Sequence, residues 1–228
     1  MSVEGQVAGG EAVQRESAAD DYFSVFGLPR KLKIDADALQ KQFYAESRRL
    51  HPDRYAGKPA EEQQWATERS SLLNDAYRIL KDPIARTEHL LALEGVQLEE
   101  QSKSATEAAR AAGAQKQQAV PPELLEEVFE LNMQLQEMKS AREMGEAPEA
   151  DVSDGLKLAR ANFEARLQEL DRELQTLWSE WDTAVEQGGE QARKDIRDKM
   201  VDVLNRRNYI RNLVRDVNAA LEAEEPAA

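Results

Sequence analysis

Arg48-Arg49-Leu50-His51-Pro52-Asp53-Arg54-Tyr55 is the stretch that decides how this chain folds. A proline drives the residue before it out of the helical region, so Pro52 ends whatever helix leads into it. Upstream, residues 37–50 read as that helix, because Leu39, Phe43 and Leu50 fall at spacings of four and seven and form one apolar stripe. A new helix starts near Pro59 or Ala60. His51, Pro52 and Asp53 are therefore expected on a short stiff turn between two antiparallel helices, displayed to solvent. Lys41, Arg48, Arg49 and Arg54 lie around that turn.

Working outward, Asp20 or Asp21 can cap a short helix carrying Tyr22, Phe23, Val25 and Phe26, which Gly27-Leu28-Pro29 ends. Residues 59–81 form the return helix, with Trp65, Leu72, Leu73, Ala76, Tyr77 and Leu80 on its buried side. Asp82-Pro83 opens a fourth helix, with Pro83 at its first position. Ile84, Leu90, Leu91 and Leu93 let it fold back, and Gly95 ends it. Residues 20–95 are thus expected to form one small helical module.

Residues 1–19 and 224–228 read as disordered tails, and 96–120 as a polar linker of Ala, Gln and Ser. A second module, 121–223, begins at Pro121-Pro122. Its first helix carries Leu124, Leu125, Val128, Phe129, Leu131, Leu135 and Met138, more apolar residues than one narrow seam needs. A turn is expected over 144–154, with Gly155 close behind. Phe163, Leu167, Leu170, Leu174, Leu177, Trp181 and Val185 then follow at steps of four and three, a coiled-coil-like stripe. Gly188-Gly189 marks a tight turn before a last helix with Ile196, Met200, Val203, Ile210, Val214, Val217 and Leu221. Three helices with short connections predict an antiparallel bundle. The fold class is all-α, with no strand signal and no internal repeat.

Charge and composition narrow the function. Charged residues make up 32 % of the chain and aromatics 6 %, as in helical proteins with long solvated faces. Residues 20–95 carry 12 basic and 13 acidic side chains, whereas 121–228 carry 14 and 25, a net of −11. An acidic second half argues against nucleic acid, whose phosphates need clustered Lys and Arg. No apolar run approaches the ~20 residues that span a bilayer, and the first nineteen residues lack the pattern of a signal or transit peptide, so a cytoplasmic protein is expected. There is no cysteine, so neither a disulfide nor a thiolate metal site is possible. His51 and His89 are the only histidines, and no nucleophile elbow or Gly-rich phosphate loop accompanies them. We expect no catalytic residue, no resident metal and no cofactor.

Four landmarks together, Asp21-Tyr22-Phe23 with Phe26-Gly27-Leu28-Pro29, His51-Pro52-Asp53, Leu73-Asn74-Asp75-Ala76-Tyr77, and Asp82-Pro83-Ile84-Ala85-Arg86, resemble the J-domain. That resemblance implies a module that activates a DnaK-type ATPase. His51, Pro52 and Asp53 would contact the ATPase, and Lys41, Arg48, Arg49 and Arg54 would attract its acidic face. Tyr44 departs from the pattern, standing where many J-domains have a basic residue.

An acidic three-helix module behind a J-domain, with Arg86-Thr87-Glu88-His89-Leu90-Leu91 and Leu124-Leu125-Glu126-Glu127-Val128, is similar to the HscB-type co-chaperones of iron–sulfur cluster assembly. The likeness implies an L-shaped protein that brings an IscU-like scaffold to an HscA-like chaperone, stimulates its ATPase and so promotes cluster maturation and transfer. By position, Leu124, Leu125, Val128 and Tyr209 would form an exposed scaffold-binding patch with Glu127 and Glu130 at its rim. The residues alone leave other readings open: a J-domain serving a different client, the same apolar residues as bundle core, or a purely structural helical module.

Overall fold

The computed structural model describes residues 21–96, 98, 120–145 and 149–222. The expected tails 1–19 and 224–228, and nearly all of the expected linker 96–120, lie outside the described residues. The described chain is helical, without a strand among its residues, and divides into two compact units.

The first unit comprises 21–29 and 37–95. Asp21 accepts hydrogen bonds from the Phe23 and Ser24 amides and so starts α1, Tyr22–Val25. Gly27, at φ +62°, turns the chain out of that helix. Helix α2, Ala36–Arg49, and α3, Ala60–Lys81, flank the His51 turn. Asp82 caps α4, Pro83–Leu93, through the Ile84 and Ala85 amides at 2.8 and 2.9 Å, with Pro83 at the first helical position. The core is Phe23, Phe26, Leu39, Leu50, Ala66, Leu73, Ala76, Leu80, Leu90 and Leu91. Phe43 adds a face-on stack with Tyr77 at 4.1 Å. The buried Arg86 guanidinium donates to the Leu80 carbonyl, satisfying an orphan acceptor at the end of α3. Trp65 is a correction: expected on the buried side of α3, it is 51 % exposed. The buried positions of α3 are Ala66, Leu73, Ala76 and Leu80, and residue 65 points to one side of that stripe.

The second unit holds α5, Leu125–Glu143, α6, Ala150–Gln187, and α7, Glu190–Glu222. Gly188 sits at φ +72° and ends α6 in the left-handed conformation. The ion pair Arg207–Asp171 at 2.6 Å and the Arg160–Asn218 hydrogen bond at 3.3 Å run α6 and α7 antiparallel. Val152, Leu156, Phe163, Leu170, Leu174, Leu177 and Trp181 line α6 at steps of three, four and seven. The turn expected over 144–154 is therefore shorter than expected. Helix α6 begins at Ala150, and Val152 and Leu156 extend its apolar stripe backwards. Gly155 lies within the helix, where a Cβ would come within 2.6 Å of the Gln134 side chain. The glycine lets α5 and α6 approach closely, which offsets its poor helix propensity.

Residues 30–36, which the sequence reading places in the first module, group with the second unit. Backbone chemistry holds them there. The Asp182 carboxylate accepts from the Leu32 and Lys33 amides at 2.7 and 2.9 Å, and the Trp181 indole donates to the Arg30 carbonyl at 3.0 Å. Leu32 is fully buried beside them. Removing an acceptor that serves two amides leaves both without their bonds. Asp182→Ala should lower the unfolding free energy by about 1–3 kcal/mol, measured by urea denaturation followed by circular dichroism.

Candidate functional site

The His51 turn is built from its own backbone. Pro52–Arg54 forms a single 3-10 turn, in which the Arg54 amide donates to the His51 carbonyl at 3.0 Å and the Tyr55 amide to Pro52 at 2.9 Å. The His51 side chain caps it, with Nδ1 accepting from the Asp53 amide at 3.3 Å. That bond leaves the neutral imidazole's proton on Nε2, as an outward donor. The Asp53 carboxylate lies 3.5 Å from the same Nδ1. His51, Pro52, Asp53 and Arg54 are all exposed, so the turn encloses no pocket. Display to solvent is what this geometry provides.

The basic side chains have different surroundings. Lys41 and Arg48 are exposed and seven residues apart, hence on one face of α2. Arg48 Nε donates to the Tyr44 carbonyl at 3.3 Å, and half-exposed Tyr44 sits between the two cations in sequence. Arg49 pairs with Glu46 at 3.2 Å but remains well exposed. Arg54 reaches back to the Arg48 carbonyl at 3.4 Å, so one cation also braces the turn against the end of α2. Sequence reading does not connect Tyr55 and Trp65 with the turn, yet their rings lie 6.1 Å apart. The available signal was a tryptophan among Glu61, Glu62, Gln63 and Gln64.

On the second unit the expected patch needs correction. Leu124 is 2 % exposed, Val128 6 % and Tyr209 7 %, so all three belong to the core. They occupy the side of their helices that packs inward, and only Leu125 of the four apolar positions faces solvent, at 55 %. Phe129 at 68 % and Met133 at 57 % join it at steps of four. These three lie within an arc of about 80° and span roughly 12 Å of helix. Glu130 is exposed beside them, whereas Glu127 is half-buried and paired with Arg166 at 2.6 Å. The surplus of apolar residues on this helix was legible; which of them face outward required the third helix to be placed.

Among the described residues no group of three or more His, Asp or Glu side chains could hold a metal ion. No helix among them is long and apolar enough to cross a membrane.

Residues 21–89 match the DnaJ domain family. Among curated relatives, a co-chaperone protein HscB homolog of Bordetella avium is 46 % identical over 88 residues, covering 39 % of this chain and 52 % of the relative. Another, from Vibrio cholerae, is 40 % identical over 78 residues, covering 34 % and 46 %. The chain thus spans about half the length of the curated relatives it matches. Two solved structures share the fold. The chaperone HscB from Vibrio cholerae has a TM-score of 0.50 at 24 % identity, covering 90 % of this chain and 99 % of that one. The human co-chaperone protein HscB has a TM-score of 0.54 at 21 % identity, covering 88 % and 82 %.

Two measurements check the burial assignments. Leu124→Ala should destabilise by about 2–5 kcal/mol as a core truncation, and Phe129→Ser should stay within about 0.5 kcal/mol of the parent. Burial also raises the Tyr209 phenol above its ordinary value of 10.0. The folded chain then keeps a proton that the unfolded chain releases. That stabilisation is complete below pH 10 and is lost as pH rises through the folded value. Tyr209→Phe should flatten the alkaline fall in urea midpoint. The exposed His51 turn, the helices around it and the match over 21–89 make the first unit a DnaJ domain, which this chain shares with curated relatives named co-chaperone protein HscB homolog.

Proposed function

We propose that this protein is a cytoplasmic co-chaperone that delivers an IscU-like iron–sulfur scaffold to a DnaK-type, HscA-like ATPase and stimulates ATP hydrolysis. Scaffold delivery promotes cluster maturation and transfer, with the cluster as cargo held by the partner and not by this chain. The observation that carries the reading is the displayed His51-Pro52-Asp53 turn, locked by its own hydrogen bonds. Pro52 fixes its backbone, and His51 Nε2 offers a donor to the ATPase. Asp53 engages basic groups there. Lys41, Arg48, Arg49 and Arg54 steer the turn onto an acidic partner face. The J-domain role belongs to 20–95 and client binding to 121–223, across the linker 96–120.

Client binding is assigned to the exposed stripe Leu125, Phe129 and Met133, with Glu130 on its rim. Leu124, Val128 and Tyr209 are buried in the core of the same unit, and Glu127 is held in its ion pair. A second reading keeps the J-domain and changes the client. It draws on the same stripe, because two of its three members, Phe129 and Met133, lie outside the set implied by the family resemblance.

The two roles separate by mutation. His51→Gln should abolish stimulation of the organism's own DnaK-type ATPase while leaving helicity and calorimetric binding of the scaffold unchanged. Leu125→Ser/Phe129→Ser/Met133→Ser should do the reverse. Raising salt from about 50 mM to about 500 mM should weaken stimulation, because screening shortens the reach of the basic face. Stimulation retained by His51→Gln would sink the J-domain assignment. A scaffold that does not bind the parent protein would leave the second reading standing.

A further inference from the structure

We propose that Trp65 is a positioning residue for the His51-Pro52-Asp53 turn and acts through Tyr55. The inference rests on the reading of that turn as the ATPase contact. The hydrogen bonds of the turn are mostly internal to it: Asp53 amide to His51 Nδ1, Arg54 amide to His51, Tyr55 amide to Pro52, and Lys58 amide to Tyr55. They set its shape without fastening it to the helices. On the α2 side, buried Leu50 and the Arg54–Arg48 contact supply the fastening. On the α3 side, Tyr55 is the one residue from 51 to 59 that is not exposed, and its ring lies 6.1 Å from Trp65 at an angle of 54°. Tilted rings at this separation attract beyond simple area burial.

Core packing does not account for Trp65. It sits in the second turn of α3, half in water, preceded by four exposed polar residues. A large aromatic ring at such a position has a purpose if its inner face holds the chain that leaves the turn. Tyr55 ends the 3-10 turn, and its own carbonyl accepts from Lys58. Restraining this one residue therefore restrains both the turn before it and the return to α3.

The test uses full-length protein and two readouts. Amide hydrogen exchange is followed at Arg54, Tyr55 and Lys58, and ATPase stimulation is titrated against the organism's DnaK-type chaperone. Trp65→Ala should speed exchange at these amides by about 2- to 10-fold. It should raise the half-maximal concentration for stimulation by a similar factor at an unchanged plateau, with the melting temperature of the parent. Trp65→Phe should restore both. Tyr55→Ala should match Trp65→Ala, and the double variant should add nothing further. Unchanged exchange in Trp65→Ala overturns the proposal, as does no rescue by phenylalanine or full additivity in the double variant. Faster exchange with an unshifted titration overturns the link to stimulation. A parent protein that fails to stimulate removes the ATPase reading, and the exchange data then decide the positioning role by themselves.

Discussion

A helix cannot run through Pro52 unbroken, and much of the first unit depends on that constraint. The preceding residue is kept out of the helical region, so α2 must stop at Arg49 and the chain must turn at His51. Leu50, the last residue before the turn, is buried and sets where the break occurs relative to the core. With one end fixed, the four residues that follow have nowhere to go but outward. The same proline then opens a 3-10 turn, where its lack of an amide proton does no harm. Exposure of the tripeptide is thus a consequence of chain geometry before it is a matter of function.

The second unit follows a different logic. Long helices with one apolar stripe gain little until a second stripe covers them, and α6 and α7 supply each other's cover along most of their lengths. Helix α5 is the shorter third member, anchored by Leu124, Val128, Leu131 and Met138, with its far side left in water. Leu125, Phe129 and Met133 lie on that far side because a helix in a three-helix bundle has only one side to bury. Polar pairing refines the register: Arg207 with Asp171, Arg166 with Glu127, and Arg142 with the Ala220 carbonyl.

Much of this was legible in the sequence. Element boundaries marked by Asp21, Pro52, Asp82-Pro83 and Gly188 fall where the local rules put them, since caps, prolines and glycines act within a few residues. Legibility ended where contacts are long-range. Trp65 was assigned to the core on hydrophobicity alone, although the neighbouring Ala66 holds the inward position. Leu124 and Leu125 are about 100° apart on a helix, and no local rule tells which one faces in. The start of α6 was misplaced because Gly155 reads as a breaker until Gln134, twenty-one residues away, is seen to need the room. The capture of residues 30–36 by Asp182 was invisible, because the sequence separation is about 150 residues and the partners are amides that every residue but proline possesses.

That last contact carries a consequence for how this protein can drift over generations. A carboxylate that grips main-chain amides reads no side-chain identity, so the residue type at 33 is free to change, proline excepted, while the grip persists. Residue 182 has no such freedom, since few side chains present two acceptor oxygens at that spacing. Inheritance of the contact is therefore lopsided. One helix position bears the selective burden of this grip, while in the segment it holds Leu32 is constrained by its place in the core and Lys31 by its ion pair with Glu186.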